Sequence, residues 1–174
     1  MRYTIDPTHS TAEFTVRHMM ITNVRGRFGA LAGTVELDPA HLDKANVDVT
    51  IDATSIDTRD EKRDAHLRSA DFFDVEHHPT LTFKSTSVAK SGDGYAVLGN
   101  LTMHGVTKEI TLTVEELTES GKDPWGNTRV GASAHVKVNR KDWGLHWNAT
   151  LEAGGILVGE QVKIAIEVSL IQAA

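Results

Sequence analysis

Eight stretches of the sequence alternate apolar and polar residues, and together they fill most of the chain. The plainest runs from Glu109 to Glu115, where Ile110, Leu112 and Val114 share one face, and charged residues and threonines occupy the other. Side chains of a β-strand point alternately to opposite faces, so this pattern predicts a sheet with one apolar and one polar face. Eight such strands in 174 residues predict an all-β fold, an eight-stranded antiparallel barrel.

The predicted strands are separated by turn residues. A short strand at residues 3–6 comes first, and the eight alternating strands cover residues 10–18, 26–37, 46–53, 80–88, 95–103, 106–116, 130–138 and 161–171. Gly29 and Gly33 mark bends or bulges in the second of these. His104-Gly105 predicts a two-residue hairpin turn in which the glycine supplies a positive φ.

One segment has helical rather than strand periodicity. Thr58 and Glu61 have the spacing of a capping box, and we expect a helix over about residues 59–69. Because most of its residues are charged, the helix is expected to lie across one end of the barrel, with Leu67 turned inward.

The sequence leaves open whether the barrel is hollow. Eight strands enclose either a core packed by side chains or room for one small ligand. Small residues on the inward faces favour a hollow interior, and they also permit a dense sandwich. These residues are Ala12, Ala30, Ala53, Gly99, Ala132 and Ala134.

Composition narrows the classes of function. A net charge of −6 argues against a general nucleic-acid binder, and the absence of cysteine excludes disulfides, thiolate catalysis and cysteine-type zinc sites. No linker divides the chain, which predicts a single domain over residues 1–174. The N-terminus has no basic flank followed by a long apolar stretch, which predicts no signal peptide, no membrane span and a cytoplasmic protein.

Histidines do not form a recognisable metal motif. His77 and His78 are neighbours, and adjacent side chains of an extended chain point in opposite directions, so they do not readily share an ion. Nothing in the spacing selects a site scattered over His9, His66, His104 and His146. The expectation is therefore that the chain has neither a metal site nor a cofactor.

Several separated motifs carry a resemblance to a known family. They are R-D-A-H-L-R-S-A-D-F-F-D-V-E-H-H-P-T-L-T-F at residues 63–83, L-T-M-H-G-V-T-K at 101–108, N-R-K-D-W-G-L-H-W-N at 139–148 and G-I-L-V-G-E-Q-V-K-I at 155–164. In this order they resemble the YceI-like proteins, the polyisoprenoid-binding, lipocalin-like barrels of bacteria. The resemblance implies a hollow barrel with a long apolar pocket for an isoprenoid or acyl amphiphile, such as a polyprenyl phosphate or a quinone precursor. It implies no catalysis, and it leaves a homodimer open.

Candidate ligand-binding residues follow from strand parity and apolar character. They are Phe14, Val16, His18, Phe28, Val49, Ile51, Leu67, Phe72, Phe73, Phe83, Leu101 and Met103. Some of the apolar members are expected to be ordinary core residues. His18 either contacts a ligand head group or is a hydrogen-bonded histidine near a strand end.

Other residues have two interpretations. Arg17, Arg25 and Arg27 form either a phosphate contact or, the preferred interpretation, a solvated basic edge. Trp143 and Trp147 either line the mouth of the pocket or, the preferred interpretation, plug one end of the barrel. The rival functions are an enzyme with a His/Asp or metal centre in the cavity, and a filled barrel that acts through its surface.

Overall fold

The computed structural model describes residues 1–152 and 154–174. The described residues form twelve strands and one α-helix, with short 3-10 turns between some of them. The strands are β1 (Arg2–Ile5), β2 (Thr11–His18), β3 (Thr22–Phe28), β4 (Leu31–Glu36), β5 (Asn46–Asp52), β6 (Ile56–Asp57), β7 (Thr80–Ser91), β8 (Gly94–Met103), β9 (Val106–Leu117), β10 (Gly121–Lys122), β11 (Thr128–Asn139) and β12 (Val158–Gln172), and the helix is α1 (Glu61–Arg68).

The sheet closes on itself as an eight-stranded antiparallel barrel. Its neighbours follow the order β11-β9-β8-β7-β5-β4-β1-β12, and pairing of β12 with β11 closes the ring. The last strand, β12, pairs with β1 near its C-terminal end and with β2 along its N-terminal part. Thus β1 and β2 form one broken strand, β3 and β4 another, and the predicted barrel is confirmed.

The second predicted strand, residues 26–37, is in fact two. It begins earlier, at Thr22, and breaks at Gly29 and Ala30, which are exposed between β3 and β4. The hairpin joining β2 to β3 turns at Met19 and Met20, whose φ angles are 53° and 60°. Such a turn favours Asn-Gly or Asp-Gly, so two methionines gave no turn signal in the sequence.

The helix forms close to its expected position, but its predicted cap is wrong. It begins at Glu61, and its N-cap is Asp60, whose carboxylate accepts a hydrogen bond from the Arg63 backbone N–H at 3.0 Å. Thr58 is instead buried and donates from its hydroxyl to Asp64 Oδ1 at 2.5 Å. A buried carboxylate needs hydrogen-bond donors, and Thr58 supplies them to Asp64 from its hydroxyl and its backbone N–H.

The helix region fills a gap between strands. Strand β4 pairs along its length with β5. Strand β3, on the side away from β2, pairs only with the two-residue β6. The segment over residues 53–79, which includes α1, occupies the space where β3 and β5 separate. We call this end of the barrel, together with the β8–β9 turn and residues 140–147, the helix end.

An ion-pair network fastens the barrel near the start of β11. Arg129 donates to Asp6 Oδ2 and to Asp123 Oδ2, each at 2.7 Å, and to Ser169 Oγ at 3.1 Å. The hydrogen bonds from this guanidinium lower the pKa of both carboxyl groups well below their ordinary value. The network joins the end of β1 to β11 and β12.

Candidate functional site

The interior of the barrel contains an apolar cavity. Its volume is about 280 Å³, and inward side chains from the barrel strands, α1 and the segment after it form the wall. Among the residues that the structure describes, Glu13 and Arg140 are the only charged ones in this wall. An apolar enclosure of this kind suits a chain of carbon atoms better than a polar ligand.

Eleven of the twelve candidate residues lie in the cavity wall. These eleven are Phe14, Val16, Phe28, Val49, Ile51, Leu67, Phe72, Phe73, Phe83, Leu101 and Met103. His18 is half-buried at the last residue of β2, where it pairs with Thr22 and Val158, and it does not line the cavity. Its parity matches that of Phe14 and Val16, but it is the end residue of the strand and lies beyond them. Whether the wall residues touch a ligand stays a prediction.

Aromatic rings narrow the cavity near the helix end. The ring centroids of Phe14 and Phe28 are 5.7 Å apart, and Phe28 meets Phe73 edge to face at 5.6 Å. A Cβ at the buried Gly26 would overlap the Phe14 ring and lie 2.8 Å from Thr58 Cγ2. The absence of a side chain at this glycine thus makes room for the Phe14 ring.

Phe83 occupies a second notch of this kind, in the middle of the sheet. A Cβ at Gly99 would lie 2.5 Å from Phe83 Cζ and 2.6 Å from the Lys84 carbonyl oxygen. Gly99, on the neighbouring strand β8, therefore receives the ring, and Phe83 is only 8% exposed. Gly99 was expected to be a small inward residue that leaves empty volume. In the structure the Phe83 ring fills that space.

Many wall residues were absent from the candidate set although the alternation contained them. Strands β9, β11 and β12 supply Ile110, Leu112, Val114, Ala132, Ala134, Val136, Val138, Val162, Ile164, Ile166, Val168 and Leu170. Ala12, Ala132 and Ala134 line the cavity as expected of small inward residues. Ala30 is exposed at the β3–β4 break, so its inward assignment is wrong, and Ala53 is buried outside the wall.

Arg140 is the cationic residue of the wall. It is 4% exposed, and its guanidinium donates to the carbonyl oxygens of Leu145 at 2.6 Å, Gly159 at 2.8 Å and Val158 at 3.3 Å. Burial lowers the pKa of Arg140, which nevertheless remains charged at neutral pH. Among the described residues no carboxylate lies within ion-pair distance of it, so its direct partners are backbone carbonyls, and Glu160 acts on its charge only from a longer distance.

The two tryptophans pack at the helix end. Trp143 is 2% exposed, and its Nε1 donates to the Leu101 carbonyl oxygen at 3.0 Å. Trp147 contacts His66 edge to face at 4.6 Å and lies 5.3 Å from the Phe72 ring. Both tryptophans therefore close this end without lining the cavity, which agrees with the expected plug.

The basic residues of the β2–β3 hairpin are exposed. Arg17, Arg25 and Arg27 point away from the cavity, and Arg17 donates to the Asn23 side chain at 3.3 Å. This placement agrees with a solvated basic edge.

The cavity does not bring an acid and a histidine together. Its described wall contains no histidine, and its single carboxylate, Glu13, belongs to an exposed residue. General acid–base catalysis needs its groups within hydrogen-bonding reach, so the wall gives no geometry for the predicted alternative, an enzyme centre in the cavity.

The fold and its apolar interior define a lipocalin-like barrel, and comparisons with known proteins identify the family. The model of the YceI-like domain matches residues 3–170. A UPF0312 protein of Pectobacterium atrosepticum is 40% identical over 159 residues, which cover 91% of this chain and 80% of the relative. The chain belongs to the YceI-like family.

Solved structures show the same fold. BcnA of Burkholderia cenocepacia matches with a TM-score of 0.82 at 22% identity, covering 95% of this chain and 98% of that protein. A polyisoprenoid binding domain from Saccharophagus degradans, implicated in plant cell wall breakdown, matches with a TM-score of 0.68 at 17% identity, covering 98% of both. The α-helix that the structure describes is too short and too polar to cross a membrane.

Proposed function

We propose that this protein binds, and sequesters or carries, an amphiphilic isoprenoid-type lipid such as a polyprenyl phosphate or a quinone precursor. The cavity carries the proposal, because its volume of about 280 Å³ is bounded by apolar side chains in the interior of the barrel. This volume lies just below the ~300–1,000 Å³ typical of ligand pockets, which favours a slender tail over a bulky ring system. The family and the polyisoprenoid-binding neighbour support the same ligand class.

Burial of the tail supplies the affinity in this proposal. Removing roughly 300 Å² of apolar tail from water contributes about 7 kcal/mol before the entropy loss of association. Affinity in the micromolar range needs about 8 kcal/mol, so head-group contacts are required in addition. The protein acts by binding, and no bond of the ligand is made or broken.

Arg140 gives the proposal an orientation for the ligand. The surface of the cavity is apolar, so a phosphate would meet this buried guanidinium only after the side chain turns; two of its five N–H groups remain for charge-assisted hydrogen bonds after the three carbonyl contacts. In this proposal the anionic head group lies at the helix end, and the tail runs along the wall formed by β9, β11 and β12. A polyprenol of the same tail length lacks the charge, so it is expected to bind more weakly than its phosphate.

Mass spectrometry of the organic extract from natively purified protein tests the proposal. The expected result is an isoprenoid or acyl amphiphile in roughly stoichiometric amount, with a matching mass shift in native spectra of the intact protein. A protein that carries no lipid and also fails to take up added polyprenyl phosphate would overturn it. Equal affinity for the phosphate and the alcohol would overturn the orientation alone.

A further inference from the structure

Three potential metal ligands converge at the helix end, outside the cavity wall. Asp74 lies in the turn that follows α1, His78 lies two residues before the start of β7, and His104 lies in the β8–β9 turn. Each offers one ligand atom, and the three atoms all lie within 4.8 Å of one another. All three residues are half-buried. The cluster combines distant parts of the sequence and is separate from the lipid cavity.

Hydrogen bonds orient two of these side chains. His104 Nδ1 lies 3.1 Å from the carbonyl oxygen of Trp143, and because a carbonyl only accepts, Nδ1 carries the hydrogen. In the neutral ring, Nε2 then has its lone pair free for a ligand bond. His77 Nδ1 lies 3.0 and 3.1 Å from the two carboxylate oxygens of Asp74 and holds that side chain. Metal-ligating histidines commonly have a second-shell partner of this kind.

The backbone conformation at the cluster is unusual. Asp74 and His104 have φ angles of 47° and 54°, in the left-handed region that residues with a Cβ seldom adopt. The next residue, Gly105, also has a positive φ, and a Cβ there would lie 2.8 Å from His78 Cε1. The β8–β9 turn therefore leaves space for the His78 ring, whose centroid is 5.2 Å from that of His104. At His104 and Gly105 this is the conformation that a two-residue hairpin turn requires.

We propose that Asp74, His78 and His104 form a binding site for a divalent transition-metal ion, of which Zn²⁺ is the best fit. Two imidazoles and one carboxylate are ligands that Zn²⁺ accepts, with a water molecule in the fourth position. Tetrahedral ligand atoms about 2.0–2.1 Å from zinc are about 3.3 Å apart, so small side-chain rotations complete the geometry. Mg²⁺ and Ca²⁺ prefer oxygen ligands and are disfavoured here.

A bound ion would join four segments of the helix end. Its ligands connect the turn after α1, the start of β7 and the β8–β9 turn, and the hydrogen bond from His104 extends the connection to Trp143. Since an ion that binds only the folded state stabilises it, zinc is expected to raise the melting temperature. The metal site does not depend on lipid binding, so either proposal can be refuted while the other stands.

Calorimetric titration of chelator-treated protein with ZnCl₂ alone tests the site. The wild type should bind one ion per chain, and His78→Ala and His104→Ala should each weaken binding by at least about tenfold, the loss typical even of second-shell changes. His41→Ala is the matched control, since His41 contacts Asp38 at 3.1 Å three residues away, as His77 contacts Asp74, without membership of the cluster. Its affinity should equal that of the wild type.

Two further measurements make the result independent of folding defects. Circular dichroism of each variant shows whether the barrel is intact, and X-ray absorption of the zinc-loaded wild type should show two imidazoles with oxygen ligands near 2.0 Å. The proposal is overturned if the wild type binds no zinc. It is also overturned if folded His78→Ala and His104→Ala retain full affinity, or if His41→Ala loses as much as they do.

Discussion

Replacing Ala134 with leucine is expected to stabilise the barrel and, at the same time, to weaken its binding of a lipid tail. Ala134 lies on β11, opposite Ile166 of β12 and Val114 of β9, and all three line the cavity. Leucine adds three carbon atoms that point into this space. The two effects have opposite signs because the new side chain gains the apolar contacts that the tail loses.

The magnitude follows from the number of carbons. Each buried methylene contributes about 0.8 kcal/mol, so three displaced tail carbons correspond to about 2.4 kcal/mol, or roughly a 50-fold weaker Kd. Filling a cavity typically adds about 0.5–2 kcal/mol to the free energy of unfolding. In a chain of this length, each kcal/mol raises Tm by about 2–4 °C.

Affinity is measured by titration with a polyprenyl phosphate, and stability by thermal unfolding of delipidated protein. Ala165→Leu is the matched control, because Ala165 on β12 is exposed and faces outward beside His135. The control should change neither quantity appreciably. A lower Tm in Ala134→Leu would refute free volume at this position, and an unchanged Kd would refute a tail that passes it.

Two other features give predictions of their own. Arg129 lowers the pKa of Asp6 and Asp123 below the ordinary value of 3.8, so the stabilisation from this network is complete above that pH and is lost as pH falls through the lowered folded-state values. Arg129→Gln should therefore lose less thermal stability between neutral pH and strong acid than the wild type does, and an equal loss would contradict this linkage. Trp143→Phe removes the donor to the Leu101 carbonyl and should lower the free energy of unfolding by about 1–3 kcal/mol; a urea midpoint equal to that of the wild type would count against it.

Alternation in the sequence was sufficient to predict the strands and their inward faces because strand parity is a local property. Ile110, Leu112 and Val114 face inward in the structure as their spacing indicated. The same pattern holds for β12, whose apolar positions form a continuous part of the wall. The inward faces were therefore predictable, although the choice of which residues bound the cavity was not.

Features that depend on exceptions to local rules were not predictable. Met19 and Met20 form a turn with positive φ angles although neither favours it, so the β2–β3 hairpin was missed. His78 and His104 are 26 positions apart in the chain, and they become neighbours because β7 pairs antiparallel with β8, with Thr82 opposite Thr102. Metal motifs are recognised by short spacings; Asp74 and His78 are four residues apart, but the third ligand, His104, is too distant in the chain to complete such a motif.

Strand β12 has a consequence for the order in which this protein matures. It supplies neighbours to β11 on one side and to β1 and β2 on the other, so one edge of each of the first two strands stays unpaired until partners such as Val158 for His18 and Gln172 for Tyr3 have been synthesised. Until then, β2 and β11 present unpaired edges, which are templates for aggregation. Ring closure, and with it the cavity, can begin only when residues 158–172 have left the ribosome. The cavity proposed to bind a lipid therefore exists only in the finished barrel.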